Sequence, residues 1–203
     1  MERIGIFGGT FNPPHLGHQN LLTGFLSRLE LDRVLVIPSA VPPHKAAPDL
    51  ASGEDRMELC RRTFRDPRVT FSRMELDRTG KSYTVDTLRA IKEEYGPDSE
   101  LFFLVGDDML LYFDHWREPD TILSLCTLVA SVRSDRTDLT ELEAYAEEQF
   151  PEQYEAGRFR FLFIPPFEAS STEIRERIRR GDPIDGLVTP EAAQYILDRG
   201  LYQ

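Results

Sequence analysis

The chain has 203 residues, 40% hydrophobic and 29% charged, with a formal net charge of −11. That apolar share supports a sizeable core and excludes a disordered or fibrous chain. The excess of carboxylates repels nucleic acid and anionic membrane surfaces at long range, so any anionic ligand must be held by local contacts.

The opening Met-Glu-Arg-Ile-Gly-Ile-Phe reaches glycines and prolines at once and lacks the apolar stretch of a signal peptide, so a cytoplasmic address is expected. A first strand is predicted over Ile4 to Phe7, then a glycine-rich turn, then a helix whose stripe is Leu21, Leu22, Phe25, Leu26 and Leu29, spaced by three and four. Further apolar runs read as strands at Val34 to Ile37, Val69 to Phe71, Leu101 to Val105, Leu128 to Val132 and Phe159 to Ile164. Val85, Leu88, Ile91 and Tyr95 form a helical stripe that Gly96 and Pro97 end, since glycine accepts a positive φ and proline cannot continue the turn. Ser170-Ser171-Thr172-Glu173 has capping-box spacing and starts a basic helix closed by Gly181. A last helix runs from Thr189 and Pro190 to Gly200.

This alternation predicts an α/β fold: a Rossmann-like, doubly wound, mostly parallel sheet with helices on both faces and a C-terminal helical portion from about residue 170. No linker divides the chain, so residues 1–203 read as one domain, and no apolar run approaches membrane-spanning length. Cys60, at a helix end, and Cys126, at a strand start, lack the spacing of a metal knuckle or redox pair and read as reduced packing residues.

The strongest local signal is Gly8-Gly9-Thr10-Phe11-Asn12-Pro13-Pro14-His15-Leu16-Gly17-His18. Glycines let backbone approach a ligand closely, and the start of a helix offers N–H groups and a positive dipole end to phosphate. His15 and His18 are three residues apart, so both rings can face one side as the helix begins. Their spacing is not that of a helical zinc pair, and the turn carries neither a Gly-x-Gly-x-x-Gly fingerprint nor a P-loop. No set of side chains suggests a protein metal site.

Gly8 to His18 resembles the His-x-Gly-His signature of a nucleotidyltransferase superfamily, and Ser170-Ser171-Thr172-Glu173-Ile174-Arg175 resembles its second signature. Three further stretches resemble the bacterial nicotinate mononucleotide adenylyltransferases: Ile37-Pro38 through Pro42-Pro43-His44-Lys45, Ser82 to Leu88, and Gly106-Asp107-Asp108 followed by Trp116. The closing Gly200-Leu201-Tyr202 fits as well, whereas Asn12 stands where many members carry aspartate.

The resemblance implies transfer of the adenylyl group of ATP, accompanied by magnesium, to nicotinate mononucleotide in NAD biosynthesis. It implies that His15, His18 and Arg175 act in catalysis, and that ATP is held by Gly8, Gly9, Thr10, Phe11, His15, His18, Gly106, Asp107, Ser171, Thr172 and Arg175. The mononucleotide falls to Asn12, Lys45, Tyr83, Thr84 and Trp116. ATP and the mononucleotide are the expected partners, with no nucleic acid and no membrane. Nicotinamide mononucleotide and phosphopantetheine remain alternative acceptors, and a catalytically silent nucleotide-binding module is the alternative from another class.

Overall fold

The structure is a computed structural model, and it describes residues 2–40, 49–132 and 139–203. The elements in chain order are β1 (Arg3–Gly9), α1 (Leu16–Arg28), β2 (Arg33–Pro38), α2 (Gly53–Thr63), β3 (Val69–Phe71), α3 (Thr84–Tyr95), β4 (Glu100–Gly106) and α4 (Asp107–Leu110), then α5 (Pro119–Leu125), β5 (Thr127–Val132), α6 (Leu139–Gln149), α7 (Pro151–Glu155), β6 (Phe159–Phe163), α8 (Ser171–Arg180) and α9 (Pro190–Arg199). Each of the six apolar runs expected as a strand is one. The short helices α4, α5 and α7 escape the apolar pattern because they are brief, and two of them start with a proline at their first position.

The strands form one sheet in the order β3-β2-β1-β4-β5-β6. The chain winds outward from β1 to β3, returns to place β4 beside β1, and winds outward again to β6. Right-handed crossovers in both directions put helices on both faces of such a sheet, the expected α/β doubly wound class. The pairs β1·β4, β4·β5 and β5·β6 are parallel, with Ile4 opposite Leu101, Phe103 opposite Leu128, and Leu128 opposite Phe159. Leu101 to Val105 is buried throughout, as a central parallel strand covered on both faces must be.

Two compact units interleave along the chain. The first comprises Met1–Phe7, Gly24–Val34 and Tyr83–Pro166. Its core gathers Ile4, Ile6, Phe25, Leu88, Ile91, Phe113, Leu123 and Val129, all sealed from solvent. Gly5 is required there, since a Cβ would come within 2.6 Å of the Phe25 ring. α3 ends at Gly96 with φ 93°. Cys126 sits buried at the end of α5, immediately before β5.

The second unit comprises Gly8–Thr23, Leu35–Ser82 and Phe167–Gln203. Leu59 of α2, Ile174 of α8, and Ala192 and Ile196 of α9 pack together with Ile184 and Val188. Ser170 caps α8 by accepting from the Glu173 N–H at 3.1 Å, and Gly181 closes it in the left-handed region. The expected capping box is half made, because Glu173 turns its carboxylate to Arg177 at 2.8 Å. Thr189 caps α9 and donates its hydroxyl to the Arg62 carbonyl at 3.1 Å. Cys60 is buried and free in the last turn of α2. Among the described residues no helix is long and apolar enough to cross a membrane.

Candidate active site

The turn after β1 is shaped by close approaches that only its residue types permit. Phe11 has φ 49°, and its buried ring folds back so that a Cβ on Gly9 would lie 2.9 Å from its tip. The same ring meets His18 and Phe64 edge-on, at centroid distances of 5.3 and 5.7 Å. Gly17, between the histidines, has the same reason to be glycine. A Cβ there would come within 2.9 Å of the His15 ring, which lies against His18 at 3.8 Å between centroids.

The two imidazoles are therefore brought together, with His15 8% exposed and His18 half-buried. His18 Nδ1 accepts from the His15 backbone N–H at 3.3 Å, which leaves Nε2 as the ring's donor in the neutral tautomer. At the start of α1 the Leu16 N–H is taken by the Leu187 carbonyl at 2.8 Å. The helix terminus thus offers less of its backbone to a ligand than a bare one would.

The carbonyls of the turn are spent on donors from distant segments. Gly9 accepts from the Ser39 N–H at 2.9 Å, Thr10 from Arg56 Nη1 at 2.7 Å, Asn12 from Arg175 Nη1 at 2.8 Å, and Pro13 from Ser171 Oγ at 2.8 Å. The Asn12 side chain is engaged at both ends. Its amide donates to the Asp49 carbonyl and its oxygen accepts from the Ala51 N–H, each at 3.0 Å. An aspartate here would lose the first of these bonds, which gives this chain's departure a structural reason.

The basic helix α8 separates its arginines sharply. Arg177 pairs with Glu173, Arg179 with Asp49 and Arg180 with Asp182, at 2.8, 2.6 and 2.8 Å. Arg175 instead reaches the Asn12 carbonyl and, at 3.4 Å, the Thr172 hydroxyl. Its buried Nε has no hydrogen-bond partner among the described residues. The two motifs expected to cooperate are thus in direct contact within one unit, although their residues lie 158 and 163 positions apart.

Tyr83, Thr84, Gly106, Asp107 and Trp116 belong to the other unit. Tyr83 precedes α3, whose first residue is Thr84, and the Arg117 guanidinium lies 4.7 Å from the centre of the Tyr83 ring. The half-buried indole of the neighbouring Trp116 rests against Phe113 at 5.4 Å and edge-on to Phe103 at 6.2 Å. Gly106 caps α4, and buried Asp107 accepts from the Asp108 N–H at 2.9 Å. Lys45 lies outside the described residues.

Reading the residues alone did not single out Arg56, which is 1% exposed and donates to three backbone carbonyls. The available signal was the helix start at Ser52, whose hydroxyl accepts from the Asp55 N–H. That start places Arg56 between buried Asp55 and Met57. Among the described residues, no cluster of three or more His, Cys, Asp or Glu could hold a metal ion.

A family model described as Cytidylyltransferase-like matches residues 6–177. A relative from Shouchella clausii, named a probable nicotinate-nucleotide adenylyltransferase, is 39% identical and covers 100% of this chain and 97% of its own length. The nicotinate-nucleotide adenylyltransferase of Bacillus subtilis is 34% identical over 100% of both chains. Among solved structures, Plasmodium falciparum nicotinic acid mononucleotide adenylyltransferase complexed with NaAD matches with a TM-score of 0.77 at 18% identity. The match covers 100% of this chain and 98% of that one, a likeness of fold.

Proposed function

The chain belongs to the cytidylyltransferase-like family and, within it, to the nicotinate-nucleotide adenylyltransferases, and we propose that it joins the adenylyl group of ATP to nicotinate mononucleotide, releasing pyrophosphate and forming the dinucleotide precursor of NAD. The observation that carries this reading is the docking of the Ser-Ser-Thr helix start onto the His-x-Gly-His turn, through Ser171 to Pro13 and Arg175 to Asn12.

The nucleophile is an oxygen of the mononucleotide 5′-phosphate. Its second pKa is about 6, so the group is largely dianionic at neutral pH and needs no general base. That oxygen forms a bond to the α-phosphorus as the bond from the α-phosphorus to the bridging oxygen breaks, and pyrophosphate departs with the electron pair. The chain's task is then to position the reactants and to stabilise charge growing on phosphate oxygens.

In this reading His18 donates from Nε2, because its Nδ1 is held by the backbone, and His15 stands beside it. The backbone of Gly8, Gly9, Thr10 and Phe11 lines the same turn. Arg175, with no carboxylate partner among the described residues, keeps its charge for the triphosphate, and Ser171 and Thr172 flank it at the helix start. The side-chain bonds of Asn12 support a role as brace for the turn through which the mononucleotide is held. Trp116 offers an indole face to the pyridine ring, Tyr83 and Thr84 supply hydroxyls for its carboxylate, and Lys45 supplies charge for the mononucleotide phosphate. Gly106 and Asp107 are assigned to the adenosine side. Magnesium is proposed to arrive on the triphosphate, whose oxygens suit it as ligands and whose charge it neutralises.

The test is direct. Purified protein is incubated with ATP, magnesium and, in turn, nicotinate mononucleotide, nicotinamide mononucleotide and phosphopantetheine, while pyrophosphate and the adenylylated product are measured. The expected result is turnover with the nicotinate compound at least about tenfold more efficient than with either rival, as pocket contacts to a charged group readily provide. Faster turnover of another acceptor would reassign the substrate, and no turnover with any of them would end the enzymatic reading.

A further inference from the structure

Arg56 is the most deeply buried charged residue among the described residues. Its guanidinium is sealed from solvent in α2, and its donors go to the carbonyls of Ala51 at 3.1 Å, Thr10 at 2.7 Å and Ala40 at 3.1 Å. These are neutral acceptors, and burying a cation without an ionised partner is costly. The neighbouring Asp55 is turned elsewhere, to Ser52, Tyr195 and Arg199. Burial pushes the nearby Cys60 thiol and Tyr202 hydroxyl well above their ordinary ranges, so neither is an anion at neutral pH.

We propose that Arg56 is a positioning residue for adenylyl transfer: its fork fixes the Thr10 peptide of the phosphate turn and the Ala40 carbonyl beyond β2, and its charge, with no carboxylate partner among the described residues, lies against that turn. The inference rests on the proposed function and deepens it. In a trans peptide the carbonyl and the following N–H point opposite ways, so drawing the Thr10 oxygen toward Arg56 sets which way the next N–H faces. A second fork tip on Ala40 ties the turn after β1 to the chain leaving β2. Arg56 acts through this backbone and touches no substrate. Lysine cannot substitute, because its ammonium concentrates its donors at one point whereas the three carbonyls call for a planar fork.

The test compares Arg56→Lys, Arg56→Gln and Arg56→Ala with the parent. It measures thermal unfolding, kcat, KM for ATP, and the equilibrium affinity for a non-hydrolysable ATP analogue. Arg56→Lys keeps the charge and loses the fork. It is expected to lower kcat by about a hundredfold, the scale of a misplacement of roughly an ångström, while analogue affinity stays within about threefold of the parent. Arg56→Gln loses the charge as well, and its analogue affinity should fall about tenfold further, as removal of a buried favourable charge implies. Guanidinium ion should restore turnover to Arg56→Ala in a saturable way, and methylammonium should not.

Arg56→Lys with near-parental kcat would overturn the proposal, as would Arg56→Ala with no response to guanidinium. Loss of folding in all three variants would also overturn it, by assigning Arg56 to the fold alone. A parent that is inactive with every acceptor would instead defeat the functional reading, and the analogue affinities would still judge Arg56 separately.

Discussion

The turn over Gly8 to His18 and the aromatic corner around Trp116 are built on opposite plans. The turn is held by polar bonds from far along the chain: Arg56, Ser171 and Arg175 each take a backbone carbonyl. The corner is held by ring packing, with Trp116 against Phe113 and Phe103 and with the Arg117 guanidinium over Tyr83. Hydrogen bonds fix direction to within tens of degrees, whereas ring packing fixes a surface and tolerates small slides. In the proposed function the turn aims donors at developing charge, which needs the first kind of control, and the corner offers a face to a flat ring, for which the second suffices. Lesions in the turn should therefore appear in kcat, and lesions in the corner in KM.

His18→Ala is the most severe way to test that division. Loss of one aimed donor should lower kcat by about a thousandfold while KM for ATP changes little, as measured by steady-state kinetics on folded protein. A large rise in KM with kcat preserved would erase the distinction. Arg175→Lys comes next, with kcat/KM for ATP falling by about a hundredfold because a point charge cannot reproduce the fork. Arg179→Lys, in an ion pair exposed to solvent, should stay within about twofold of the parent. Equal effects at the two positions would make the helix a generic basic face. Trp116→Ala should raise KM for the mononucleotide by about ten- to a hundredfold, the scale of lost stacking, with kcat held. A collapse of kcat would show that the corner also aims the substrate.

The smallest effect concerns stability. Burial tends to raise the Asp55 pKa, but the hydrogen bonds from Ser52 and Tyr195 and the charge of Arg199 outweigh it, and the carboxyl is held below its ordinary value. Its contribution is present above the unfolded value of about 4 and is lost as pH falls through the lower folded value. Asp55→Asn should lower the melting temperature by a few degrees at pH 7, an effect of about 1 kcal/mol. The gap should close in acid. A gap that persists at low pH would mean that Asp55 acts through shape alone.

The four inner strands were legible because burial leaves its mark on residue type, and the edge strands β3 and β6, which are only partly buried, because they are still short apolar runs. The helix starts at Ser170 and Thr189 and the glycine stops at Gly96, Gly181 and Gly200 were legible because capping is local chemistry. The pairing of His15 with His18 was legible from spacing. What stayed hidden was every choice made by a distant partner. Nothing near Arg56 announces that its charge will meet the Thr10 carbonyl, or near Asn12 that its amide will be claimed by Asp49 and Ala51. The second signature picks Arg175 out of four arginines in one helix, but not the partners Glu173, Asp49 and Asp182 that take the other three.

The separation between the turn and the helix that closes it also bears on how a cell makes this protein. A ribosome releases Asn12 and Pro13 early, yet the groups that take their carbonyls are translated 163 and 158 residues later. The interleaved units impose the same delay, since each draws on both the early and the late parts of the chain. A nascent fragment therefore cannot assemble this turn as the finished protein does, and the nucleotide binding proposed for it would belong only to nearly completed chains.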